Sequence, residues 1–293
     1  MSDLGPRRST AARHRTRILT ALAIFGGALL VMWVGLPLLV PAFAIICFIA
    51  IQEYAALMTL RGIPIRKRSL WVAAALTVPA SLPATYPGLM TLAGGVSWRE
   101  ALLVVFAIYL LALEVVNPNQ NSVHAVVFTL FGYLYIPFMF GYIITLRYTP
   151  DGVLGLWYLA IPLLAMVATD VGAYAFGTAF GKRKLVPRIS PNKTVEGSIG
   201  ATVFALVIVA GVSVIARRLG GIDLGIPTLT LFALLVSCAA QLGDLFESLL
   251  KRWAGIKDSG VFLPGHGGIL DRIDSALFTF PVSYMYVTMV ILP

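Results

Sequence analysis

The sequence predicts an all-α integral membrane protein of about nine transmembrane helices, with a cytoplasmic N-terminus and an outside C-terminus. Three observations carry this. Of 293 residues, 59% are hydrophobic and only 12% charged, at a mean hydropathy of +0.89, which leaves too little polar surface to cover a soluble globule. Apolar runs suited to spans of about 20 residues recur near 18–35, 37–58, 70–94, 101–116, 123–146, 154–178, 197–216, 226–246 and 275–292. Finally, the basic residues alternate between the loops as nine spans require. The tail holds five, residues 61–68 four, 182–193 five and 251–272 four, so 18 of the 22 Lys and Arg fall on one side.

Taken in order, residues 1–17 form a basic tail carrying Arg7, Arg8, Arg13, Arg15 and Arg17. No convincing cleavage site follows it, so it reads as cytoplasmic and the first helix as retained. Residues 18–293 read as one polytopic membrane domain, because no polar stretch is long enough for a separate soluble one. The third run is the least regular: Pro79, Pro83, Pro87 and Gly94-Gly95 are placed to split it into a helix and a re-entrant piece. Cys47 and Cys238 sit in apolar runs as small hydrophobes, encoding neither a disulfide framework nor a zinc site. The formal charge of +9 is dispersed among short loops, which argues for a membrane surface and against a nucleic-acid partner.

Acidic residues number only thirteen, and five of them, Asp244, Glu247, Asp258, Asp271 and Asp274, crowd into the last basic segment and its helix ends. At 100° per residue Asp244, Glu247, Ser248 and Lys251 share one sector of a helix, and Asp271, Asp274 and Ser275 repeat the acid, acid, serine spacing. Between them runs a glycine-rich segment from Lys257 to Gly268, whose backbone amides are expected to approach an oxyanion. Hard oxygen ligands at two helix ends suit magnesium, which takes one or two carboxylates and fills its shell with water and phosphates. Upstream, Asp170 lies among apolar neighbours and needs a polar partner, while Ser190, Lys193 and Thr194 offer phosphate donors just before Glu196 at a helix start. Gly172 and Gly177 suit close helix packing as well as they suit a site, and the apolar-run acids Glu53 and Glu114 fit either a cavity or a structural pair.

The 27 residues from Ser248 to Asp274 resemble the signature of the phosphatidate cytidylyltransferase family: Ser248, Lys251-Arg252, Lys257-Asp258, Gly260, Leu263-Pro264, His266-Gly267-Gly268, Asp271-Arg272 and Asp274. The stretch from Asp170 through Gly181-Lys182 to Ser190-Pro191, Lys193-Thr194 and Glu196-Gly197 is similar to the family's pattern too. The resemblance implies transfer of CMP from CTP to phosphatidic acid, giving CDP-diacylglycerol and pyrophosphate. It implies catalytic Asp244, Asp271, Lys251, Lys257, Asp258 and His266, the last as a phosphate or nucleotide contact or a loop-shaping residue. Substrate contacts would come from Ser190, Lys193, Thr194, Glu196, Ser248, Arg252, Gly267, Gly268, Arg272, Asp274 and Asp170. Magnesium would sit on Asp244 and Asp271, with a second cation such as K+ between them. It further implies a homodimer in the plasma or inner membrane, with active-site segments near 181–196 and 244–274 facing the cytoplasm. Two rivals stand beside it: an enzyme activating another lipid phosphate, ether-linked or polyprenyl, and a transporter using Asp170, Asp244 and Glu247 as an ion path.

Overall fold

The structure is a computed structural model that describes residues 26–82, 97–220, 224–260 and 267–292. The basic tail and the presence or absence of a leader therefore lie outside the described residues. The described chain is a helical bundle. Helix α1 covers 26–34, and Gly35, at φ 80°, breaks it from α2 (Leu36–Leu60), which opens with proline in its first turn. There follow α3 (Lys67–Ala80), α4 (Trp98–Val116), α5 (Ser122–Tyr133), α6 (Tyr142–Arg147), α7 (Leu154–Phe180), α8 (Val195–Gly220), α9 (Ile226–Ala254) and α10 (Leu270–Tyr286). A π-helical turn, Leu134–Phe138, carries Pro137 and joins α5 towards α6, so that Ser122–Arg147 forms one membrane-length segment. A second π-helical turn, Val287–Ile291, extends α10.

Each apolar run of the sequence has a helical segment within its described part. Among the described residues, Leu36–Leu60, Ser122–Arg147, Leu154–Phe180, Val195–Leu219 and Ile226–Ala254 are long and apolar enough to cross a membrane. The protein is an all-helical membrane protein at that level of description. Helix α4 carries Arg99, Glu100 and Glu114, and α3 has 14 residues, about 21 Å at 1.5 Å each. In the third run α3 stops at Ala80, one residue beyond Pro79, and the expected re-entrant piece falls on 83–96, outside the described residues.

One element departs from an all-helical reading. Strands β1 (Lys184–Val186) and β2 (Ser190–Thr194) pair antiparallel, Lys184 opposite Thr194 and Val186 opposite Ser190, as a hairpin between α7 and α8. Proline at 187 and 191 and a three-residue strand gave the segment no alternating pattern to read.

The bundle packs most intimately at α7, α8, α9 and α10, because glycines remove side chains where backbones meet. A Cβ on Gly172 of α7 would lie 2.7 Å from the Gly200 carbonyl of α8. One on Gly243 of α9 would lie 3.0 Å from the Cα of Ser275 in α10, so α9 and α10 are pressed together beside Asp244 and Asp274. Helix α9 ends at Gly255, left-handed at φ 81°, where Ile256 N–H returns to the Lys251 carbonyl at 2.9 Å. A larger aromatic and aliphatic core, with Phe43, Tyr54, Leu70, Tyr133 and Phe280 fully buried, holds α2 to α6 against α10.

Candidate active site

A cleft of about 410 Å³ opens among α7, the hairpin, α8, α9 and α10. Asp170 and Asp244 each lie ten residues before the end of their helix (180 − 170; 254 − 244), which at 1.5 Å per residue sets them roughly 15 Å below it. The cleft is thus sunk between helices, and the hairpin adds Leu185, Asn192 and Lys193 to its wall.

Its walls carry opposite charges. Asp170, Asp244, Asp271 and Asp274 line it together with Lys193, Lys251 and Arg272. Strand β2 delivers Lys193, whose Nζ stands 2.6 Å from Asp244 Oδ2. Lys251 is held between the carboxylates of Glu247 and Asp271, all three side chains at most 12% exposed. A cation so placed lowers the cost of burying two acids, and the acids fix where it points. Asp170, Asp244 and Asp274 lie close enough to act on one another electrostatically.

Two helices begin at this cleft, so their positive dipole ends face it. Thr194 caps α8, its Oγ1 accepting the Gly197 N–H at 3.1 Å. Helix α10 is capped from two directions. Asp271 Oδ2 accepts Gly268 N–H at 2.8 Å and, from Ser259, the hydroxyl at 2.8 Å and N–H at 3.1 Å. Glu53 reaches over from α2 to accept the N–H groups of Ile269 and Leu270 at 2.9 and 2.8 Å, with the Ser259 hydroxyl oxygen 3.2 Å from its Oε2.

Of the glycine-rich segment, 257–260 and 267–268 are described. There the amides of Ser259 and Gly268, like those of Ile269 and Leu270 just beyond it, are bonded to the protein's own carboxylates, and the expectation of amides open to phosphate falls for the rest on residues outside those described. Glycine is needed because a Cβ at Gly268 would lie 2.5 Å from Glu53 Oε2, and Gly267, at φ 78°, makes the turn.

Of the residues singled out in the sequence, Asp170, Lys193, Thr194, Asp244, Lys251, Asp271, Arg272 and Asp274 come together at the cleft. Others stand apart from its lining. Ser190 is half-buried on β2, Ser248 half-buried on α9, and Arg252, Lys257 and Asp258 are exposed, Arg252 Nε donating to the Ile189 carbonyl at 3.3 Å. Glu196 does not face the cleft either; its carboxylate accepts the N–H groups of Lys182 and Arg183 at 3.0 and 3.2 Å and ties down the base of the hairpin. Gly267 and Gly268 shape the turn before α10, and His266 lies outside the described residues.

Two lining residues went unnoticed in the sequence: Gln241 and Ser198 are bonded across α9 and α8, and Gln241 Nε2 donates to Ser237 Oγ at 3.1 Å. Each looked like an isolated polar residue in an apolar run. Tyr174, which belongs to the stretch similar to the family's pattern, also lines the cleft and is 75% exposed. The two ambiguous acids resolve as structural: Glu53 caps α10, and Glu114 accepts Arg66 Nε at 2.6 Å. Gly172 and Gly177 serve packing, though Gly177 also lines the cleft.

Four carboxylates are hard oxygen donors of the kind magnesium takes, and Asp244 keeps Oδ1 clear of its bond to Lys193. Among the described residues no three His, Cys, Asp or Glu side chains converge as a self-sufficient metal site. The donor set fits an ion that completes its shell with water and substrate phosphates. Asp271 has less to offer, since Oδ2 already accepts three donors and Oδ1 contacts Lys251.

Fold and cleft together define a helical membrane protein with a cleft lined by opposite charges between its helices. The family model described as the cytidylyltransferase family matches residues 15–290. The chain belongs to that family, and is an enzyme of the nucleotidyltransferase class. It is similar to the phosphatidate cytidylyltransferase of Bacillus subtilis (strain 168), 44% identical over 195 residues, which is 66% of this chain and 69% of that one. It is also similar to those of Staphylococcus haemolyticus (41% over 180 residues) and Staphylococcus saprophyticus (39% over 180 residues), each match covering 61% of this chain and 66% of the relative. The matched stretch spans about two thirds of the length of these relatives.

Proposed function

We propose that the chain transfers CMP from CTP to phosphatidic acid, forming CDP-diacylglycerol and pyrophosphate. The observation that carries this is the cleft between the helices in which four aspartates face Lys193, Lys251 and Arg272, in a chain of the cytidylyltransferase family. The named activity of the relatives supplies the substrate pair.

In the reaction a phosphatidate phosphate oxygen attacks the α-phosphorus of CTP. The bond from that phosphorus to the bridging oxygen of the β-phosphate breaks, and pyrophosphate leaves in line. The nucleophile is already an anion at neutral pH, so the protein's task is to hold two polyanions together rather than to remove a proton. Lys193 and Lys251 stand preoriented by Asp244 and by Glu247 with Asp271, and Arg272 lines the same cleft; these cations meet the phosphates. Magnesium held by Asp244 and Asp271, with a second cation such as K+, would neutralise charge on the CTP phosphates.

The same reading gives nine spans, an inside N-terminus, an outside C-terminus and a cytoplasmic site in the plasma or inner membrane. The loop distribution of Lys and Arg supports that orientation, and resemblance to the family alone supports a homodimer. The test is CMP transfer from labelled CTP to phosphatidic acid by purified protein in detergent, with magnesium or with EDTA. Wild type should form CDP-diacylglycerol only with magnesium, and Asp271→Asn and Asp244→Asn should lose at least about 100-fold of the rate, the scale of one electrostatic group at a reacting phosphate. A folded wild type that makes no liponucleotide from any lipid phosphate would sink the reading and revive the ion-path alternative.

A further inference from the structure

The hairpin between α7 and α8 has a feature that cleft chemistry does not use. Lys182, Arg183, Lys184 and Arg188 are all exposed on it, and none of them lines the cleft. Arg183 lies in the field of Glu196, whereas Lys182, Lys184 and Arg188 have no ion-pair partner among the described residues. Interleaved with these cations are Leu185, Val186 and Ile189, half-buried, and Pro187, exposed.

The flanking helices show where this element sits. Exposed apolar side chains continue to the last residue of α7, with Phe180 61% exposed, and resume at Ile199, 60% exposed, one turn into α8. Exposed apolar surface on membrane-length helices marks contact with hydrocarbon, so the bilayer boundary falls where the hairpin begins. Two ties hold the hairpin there rather than letting it swing into water. Glu196 grips its base through the Lys182 and Arg183 amides, and Arg252 of α9 reaches the Ile189 carbonyl.

We propose that this hairpin is a docking surface for anionic phospholipid headgroups, its cations lying on the bilayer surface beside the cleft. The occupant follows from charge complementarity: three unpaired cations and a fourth near them, fixed at an interface, with apolar residues between them to enter the headgroup boundary. Leu185 lines the cleft while its neighbour Lys184 faces outward, so lipid gathered here is gathered at the cleft wall. The proposal requires only that α7 and α8 cross the bilayer; it stands whether or not the chain acts on phosphatidic acid.

Hydrogen exchange of residues 183–189 in nanodiscs tests it, comparing pure phosphatidylcholine with phosphatidylcholine containing about one third phosphatidylglycerol, a lipid that is not the proposed substrate. Each cation at an anionic surface shifts binding about fivefold, so neutralising three changes the equilibrium on the order of 100-fold. Exchange should be several-fold slower in the anionic discs, and the difference should vanish at about 0.5 M salt, where the screening length is only a few ångströms. It should vanish also in Lys182→Gln/Lys184→Gln/Arg188→Gln and persist in Lys182→Arg/Lys184→Arg, with exchange across α9 reporting that each variant is folded. Equal exchange in both lipids, or protection that survives in the neutralised variant, overturns the proposal.

Discussion

Lys251 is the residue on which the buried charges of the cleft depend. Glu247 is fully buried and Asp271 nearly so, and the same ammonium contacts both. Removing one partner of a buried ion cluster leaves charges that neither water nor protein compensates, whereas removing both sides is far milder. Lys251→Met should therefore cost roughly 3–5 kcal/mol of stability by thermal unfolding in detergent. Adding Glu247→Leu should recover part of that loss while CMP transfer stays abolished, because the cation that meets the phosphate is still missing. A double variant no more stable than the single one would show that Lys251 does not offset the charge of Glu247. Neither contact could be ranked from the sequence. The i, i+4 spacing of Glu247 and Lys251 was visible, but whether that face looked into the cleft or into the bundle depended on α10. Glu53 was less legible still, since the amides it accepts lie 216 and 217 residues along the chain.

At the scale of elements, the cleft exists because α7 and α8 touch along their backbones, and the glycines that allow it can be separated from those that do not matter. A methyl on Gly172 would meet the Gly200 carbonyl at 2.7 Å, so Gly172→Ala should push α8 away from Asp170, costing roughly 1–3 kcal/mol and most of the activity. Gly211 lies on the exposed face of the same α8 with nothing within 4 Å of an added methyl. Gly211→Ala should leave transfer intact and stabilise by roughly 0.5–1 kcal/mol. Equal effects in paired melting curves and initial rates would mean that close approach at Gly172 is not what shapes the cleft. The helices themselves were legible because spans are written as long apolar runs, a local property. The hairpin was not, because its strands are held by Glu196, Arg252 and each other rather than by any pattern of their own.

For the whole molecule, side-chain contacts sort the helix ends into two groups without reference to charge counts. At one end Arg66 bonds Glu114 at 2.6 Å and Arg61 lies over Trp253, while Arg252 reaches Ile189. At the other, Tyr148 OH accepts the Leu36 N–H at 2.8 Å, Arg147 donates to the Met32 carbonyl at 2.7 Å, and Tyr286 OH donates to the Thr228 carbonyl at 2.8 Å. The first group contains the loops that hold 61–68, 182–193 and the end of α9, where Lys and Arg are concentrated; the second contains Arg147 and the start of α9. Packing and the charge rule thus divide the chain in the same way, and the proposed orientation, in which Lys and Arg stay inside, would put the first group on the cytoplasmic side. With α10 leaving that side, the chain should finish outside. Alkaline phosphatase, active only outside the membrane, should be active when fused after Pro293 and inactive when fused in the 61–66 loop, and green fluorescent protein should give the opposite pattern. Fluorescence at both sites would place the two ends of α10 on one side, and the cleft would then need a different route between CTP and lipid than the one its lining implies.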